Sequence, residues 1–156
     1  MFQYRVTKYS PEERAGTVPS WTSISDLGNS YGGTVFTEDA YLETEQKYLS
    51  AIRRFASAQE VTALRIDRLT IDSDSPWWQR VAKGDQLSVD EAIELSRAVL
   101  REESVWCTLV VDGEFFVHFG YDYYMYIGIA RPSDQAVLDV RRSGLHVDEF
   151  ESPYLD

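Results

Sequence analysis

The chain has 156 residues, is 44% hydrophobic, and carries 26 acidic against 15 basic side chains, a formal net charge of −11. That length and composition suit one domain with a sizeable core, and no apolar run approaches the ~18 residues a membrane span needs. The start, MFQYRVTKYS, lacks the apolar stretch of a signal peptide, and a single cysteine, Cys107, excludes an internal disulfide; both point to a reducing cytoplasm.

Residues 2–9 alternate, with Phe2, Tyr4 and Val6 on one face and Gln3, Arg5 and Thr7 on the other, as in a half-buried strand. Residues 11–19 are polar, contain Gly16 and read as a loop. WTSISDLG follows, extended or turn-like, with Trp21 and Ile24 packed over the core. Gly32-Gly33 suits a tight turn. With no Gly-Lys-Ser/Thr nearby it is not a phosphate loop. Thr37 is placed as an N-cap, with Glu38 and Asp39 in the first turn. The helix it opens runs to about residue 58 and buries Tyr41, Tyr48, Ile52 and Phe55 at helical spacing.

Residues 61–71 form a second strand, with a bulge where the alternation breaks. Asp72-Ser73-Asp74 begins like a calcium loop but lacks the central Gly and closing Glu. Trp77 and Trp78 sit on a short helical turn after Pro76. Ser88 and Glu91 make a capping box for a helix to about residue 103. Residues 105–111 are a strand, and Asp112-Gly113 is a hairpin signal.

The stretch from residue 115 to 128, FFVHFGYDYYMYIG, holds seven of the 21 aromatic residues and no Lys or Arg. Its strand propensity predicts one long central strand, returning antiparallel from the hairpin. Phe115, Val117, Phe119, Tyr121, Tyr123, Met125 and Ile127 then share the core face. Phe116, His118, Gly120, Asp122, Tyr124 and Tyr126 share a partly polar face. Gly120 marks a possible bulge within it. Pro132 opens a short helix to about residue 143, and residues 145–150 form a last strand. The expected fold is a single α+β domain, a mainly antiparallel sheet with helices packed on it, in the order β-α-β-α-β-β-α-β.

Charge is uneven along the chain. Residues 1–87 carry 12 acidic and 10 basic side chains; residues 88–156 carry 14 and 5. Such a field repels nucleic acid and favours cationic partners, although net negative charge also serves solubility alone. Two histidines and one cysteine without clustered spacing do not make a zinc site, and no metal or cofactor is expected.

The clearest enzymatic pattern is Cys107 with His118. A two-residue hairpin turn sets them directly opposite each other, as a nucleophile–base pair requires. No oxyanion-type glycine motif accompanies them. His118 and Asp122 are four apart on one strand face, ~13 Å, too far for a dyad unless Gly120 kinks the strand. The tyrosines have a different use, since tyrosine supplies rigid contact area with a polar tip at protein interfaces. Asp122, set among Tyr121, Tyr123, Tyr124 and Tyr126, suits a cationic side chain. Stacking on single-stranded nucleic acid needs a basic groove, and residues 105–130 hold no Lys or Arg.

The VTKY start, WTSISDLG, the VWCTL and FVHFGYDYYMYIG hairpin and the GLHVDEFESPY ending resemble a group of small acidic bacterial proteins of the immunity type. The resemblance implies a non-enzymatic cytoplasmic inhibitor that binds and neutralises a cognate toxin, such as a cationic nuclease. The expected contact surface is Tyr121, Asp122, Tyr123, Tyr124 and Tyr126, joined by Glu102, Glu103, Asp148, Glu149 and Glu151. The alternatives are a small thiol-dependent hydrolase or transferase using Cys107 and His118, and a structural adaptor.

Overall fold

Seven alternating segments pair edge to edge into one antiparallel sheet, and three amphipathic helices cover one of its faces. The computed structural model describes residues 1–120 and 123–155. Strand β1 (Phe2–Thr7) leads to a single helical turn, α1 (Pro11–Arg14), and a small hairpin, β2 (Ser30–Tyr31) with β3 (Thr34–Val35). Helix α2 (Glu38–Ala58), strands β4 (Ala63–Ile71) and β5 (Gln86–Ser88), and helix α3 (Val89–Leu100) follow. The chain then forms β6 (Val105–Val111), β7 (Phe115–Phe119), β8 (Tyr124–Ile129), α4 (Asp134–Arg142) and β9 (His146–Glu149). The strand order is β5-β4-β6-β7-β8-β1-β9, and every pairing is antiparallel. This is an α+β fold. Among the described residues no helix is long and apolar enough to cross a membrane.

The helix ends follow side-chain capping. Thr37 accepts from the Ala40 amide at the start of α2, and Ser88 and Glu91 close a reciprocal box at α3, each satisfying amides that lack an intrahelical partner. Helix α2 buries Tyr41, Tyr48, Leu49, Ile52 and Phe55 against the sheet. Strand β4 carries the expected bulge, between Ile66 and Arg68. The segment expected to be all loop contains α1, because Ser10 and Glu13 form a capping box around Pro11.

The aromatic stretch is two strands, not one. It turns back on itself after Phe119, and Phe119 pairs with Met125. Tyr121 and Asp122 lie outside the described residues. The expected faces survive the split, because residues 119 and 125 differ by an even number and keep the same parity. Phe115, Val117, Phe119, Met125 and Ile127 are all in the main core.

The β6–β7 hairpin also differs from expectation. Val111 pairs with Phe115, so the loop has three residues, with Gly113 at φ 73°. His118 therefore faces Thr108, not Cys107. A one-residue change of register moves a side chain to the other face of a sheet. Cys107 points into the main core, and His118 lies beneath the opposite face.

On that opposite face Gly128 admits a ring. A Cβ there would fall 2.1 Å from Phe116 Cε1 and 2.7 Å from Met1 Sδ. Gly128→Ala is therefore expected to destabilise the fold by about 1–3 kcal/mol through overpacking, read as a lower denaturation midpoint with unchanged slope.

Candidate functional site

The β7–β8 turn is held from inside. Thr7 Oγ1 donates to the Tyr123 carbonyl at 3.3 Å, and the Tyr48 phenol donates to the same oxygen. Tyr48 also accepts from the Lys8 amide at 2.8 Å. The Tyr123 phenol donates to the Leu100 carbonyl at 2.9 Å, which satisfies an acceptor left open at the end of α3. Tyr123 itself is only 6% exposed, and its ring meets Trp21 edge-on at 5.0 Å. Burial drives the pKa of Tyr48 well above the ordinary phenol range and does the same for Tyr123. Both stay protonated as donors.

Three residues without glycine's freedom take left-handed backbone here: Glu102 (φ 56°), Ser104 (φ 55°) and Tyr123 (φ 62°). Such conformations cost free energy and gather where surrounding structure over-determines them. They border a cleft of about 330 Å3 whose walls include Leu100, Trp106, Phe119 and Tyr123. Glu102 stands at its rim, accepting from Ser23 Oγ at 2.7 Å. Its described lining contains no Lys or Arg. The Asp72 amide donates to the Ser104 carbonyl at 3.0 Å, which sets the Asp72-Ser73-Asp74 run beside the same end of the sheet.

A second cleft, of about 400 Å3, is formed by Thr70, Trp106, Phe119, Gly120 and Tyr154. Trp106 belongs to both, and its indole N–H donates to the Phe119 carbonyl at 2.6 Å. Tyr154 arrives on the C-terminal segment, which crosses the helix-free face. Phe150 N–H donates to the Gln3 carbonyl at 3.1 Å, Ser152 N–H to Gln3 Oε1 at 2.9 Å, and Arg68 to the Tyr154 carbonyl at 2.9 Å. Beneath this segment His118 bonds Ser152 Oγ through Nε2 at 2.9 Å and stacks on Tyr126 and Phe116 at 5.3 and 5.9 Å.

The expected contact residues do not form one patch. Glu102 is exposed and Glu103 half-buried at the turn end of the sheet. Tyr123 is core, Tyr126 is covered by the C-terminal segment at 6% exposure, and Tyr124 is half-buried against Tyr9 at 5.6 Å. Asp148 and Glu149 are on the edge strand β9, and Glu151 is exposed on the C-terminal segment. Asp148 is already neutralised by Arg14 at 2.6 Å and Arg5 at 3.5 Å. The Arg14 hydrogen bond holds its carboxyl below the usual range. Trp106 and Ser104, which shape the cleft, escaped the sequence reading, and Phe119 was placed there only as a core residue; the one signal was Trp106 next to Cys107 in a strand.

Cys107 is 4% exposed, and burial pushes its thiol pKa up to about 12, the opposite of an activated nucleophile. Among the described residues no group of three or more His, Cys, Asp or Glu side chains is placed to hold a metal ion. A larger groove of about 670 Å3 lies between α2, α3 and Trp77. Two of its arginines already meet carboxylates, Arg53 with Asp90 and Arg97 with Glu94 and Glu45, so it offers no single-sign field. Comparisons with family models, curated proteins and solved structures find no match.

Two measurements check this geometry. Tyr48→Phe leaves the part-buried Lys8 amide without its partner and the Tyr123 carbonyl with Thr7 alone, and is expected to cost about 1–3 kcal/mol, with faster hydrogen exchange at Lys8. Burial lowers the His118 pKa from 6.5 to about 4. Between those values the unfolded chain binds a proton that the folded one refuses, so stability falls as pH drops from 6.5 toward 4. The loss expected is roughly 2–3 kcal/mol, and it disappears from the pH–stability profile of His118→Gln.

Proposed function

We propose that the protein is a non-enzymatic bacterial inhibitor of the immunity type, which works in the cytoplasm by binding a cationic toxin domain and blocking its active surface. The observation that carries this reading is the cleft at the turn end of the sheet. It combines aromatic walls, the Glu102 carboxylate at its rim and no Lys or Arg in its described lining. Asp72, joined to Ser104, adds a second acidic side chain at this end of the sheet, whereas Glu103 lines the neighbouring hollow together with Arg97 and Arg101. Aromatic anchors ringed by one sign of charge give both affinity and fast, steered association with an opposite field.

The thiol-enzyme alternative is weakened by the hairpin register, which sets Cys107 and His118 on opposite faces. The β9 acids contribute less to this reading than the turn-end acids, since Asp148 already has two arginine partners.

The test is calorimetric binding to the C-terminal domain of a large secreted protein encoded beside this one, with a growth-rescue assay in parallel. Tight 1:1 binding that weakens with salt, together with rescue, is expected. Glu102→Lys with Glu103→Lys should weaken binding about tenfold or more at low salt and flatten its salt dependence. Affinity unchanged by that reversal at every salt concentration would overturn the turn-end assignment.

A further inference from the structure

The two clefts at the turn end are joined by three shared residues, Trp106, Phe119 and Gly120. Beyond that ridge their chemistry diverges. The first is bordered by the Glu102 carboxylate and by the hydroxyls of Thr22, Ser23 and Ser104. The second adds only Thr70 and Tyr154, with no charged side chain in its described lining. Half-buried Trp106 stands between them, its indole fixed by the bond to the Phe119 carbonyl. A fixed aromatic ring between a polar and an apolar pocket is the kind of anchor on which binding energy concentrates.

We infer that the two clefts form one bipartite recognition site for a partner segment that presents an arginine or lysine and, two residues from it, an apolar side chain. The cation enters beside Glu102, where the aromatic walls and the carboxylate both attract it. The apolar side chain enters between Thr70 and Tyr154. In an extended segment, side chains two residues apart point the same way and stand about 7 Å apart, enough to straddle one indole. Charge complementarity selects this occupant over an acidic segment, for which the first cleft has no basic group. The inference rests on the binding function proposed above and names its recognition element.

The test uses the intact chain, labelled with nitrogen-15, and the tripeptide amide acetyl-Arg-Ala-Leu as probe. The Trp106 indole signal is assigned by its loss in Trp106→Phe. Saturable movement of that signal at millimolar peptide is expected. Replacing Arg by Gln, or Leu by Gly, in the probe should weaken binding at least about threefold. Glu102→Gln, a change at an exposed position, should abolish the preference for Arg and leave the preference for Leu. Tyr154→Ala should do the reverse.

Equal response to acetyl-Gln-Ala-Gly, or an Arg preference that survives Glu102→Gln, overturns the inference. The toxin-domain calorimetry separates the two readings. If the toxin domain binds equally to Trp106→Ala, Glu102→Gln and Tyr154→Ala, the bipartite site falls and the inhibitor function stands. If the tripeptide binds as described and no toxin domain does, the site stands and the inhibitor function falls.

Discussion

The phenol of Tyr48 donates to the Tyr123 carbonyl and accepts from the Lys8 amide, so α2, the end of β1 and the β7–β8 turn meet at one buried oxygen. Left-handed backbone at a bulky residue costs on the order of 1–2 kcal/mol. Tyr123 makes three hydrogen bonds in return, through its carbonyl and its phenol, each worth roughly 1 kcal/mol net. The balance favours the turn as built, provided all three bonds form. That condition forces the Tyr123 ring inward, onto Trp21 and the end of α3, and opens the cleft beside it. The geometry of the cleft is thus a consequence of satisfying a buried carbonyl.

This explains where sequence reasoning succeeded and where it could not. The Thr37 cap, the Ser88–Glu91 box, the helical stripe of α2 and the alternation of β1 are local patterns, and local chemistry determines them. The aromatic run was read as one strand because YDYY has the composition of a strand and lacks the Asn-Gly or Asp-Gly of a tight hairpin. The turn there is stabilised by groups supplied from Thr7, Tyr48 and Leu100, all distant in sequence. No local rule reports such help. The Asp112-Gly113 hairpin was legible as a turn but not in its length, and one extra loop residue was enough to separate Cys107 from His118.

The acids show the same division. Their excess in the second half of the chain is visible in the sequence, but their availability is not. Asp148 and Arg14 are 134 positions apart and meet at 2.6 Å. Glu45, 3% exposed, is held by two hydrogen bonds from Arg101 at 2.7 and 2.9 Å. A buried carboxylate of this kind is retained only with such pairing. Both anions are absorbed by the structure and contribute little field outside it.

What reaches solvent is therefore more local than a net charge of −11 suggests. Screening limits each exposed charge to about 8–10 Å at physiological salt, so a partner responds to the nearest few acids and not to the total. At the turn end, exposed Glu102 borders a cleft with aromatic walls and the hydroxyls of Thr22, Ser23 and Ser104. An acid beside a cleft is less fully surrounded by water than the same acid on a flat helix face, and its attraction for a cation is screened less. The left-handed conformations at residues 102 and 104 hold the rim at that cleft, and backbone conformation thereby decides which of 26 acidic side chains stands beside it.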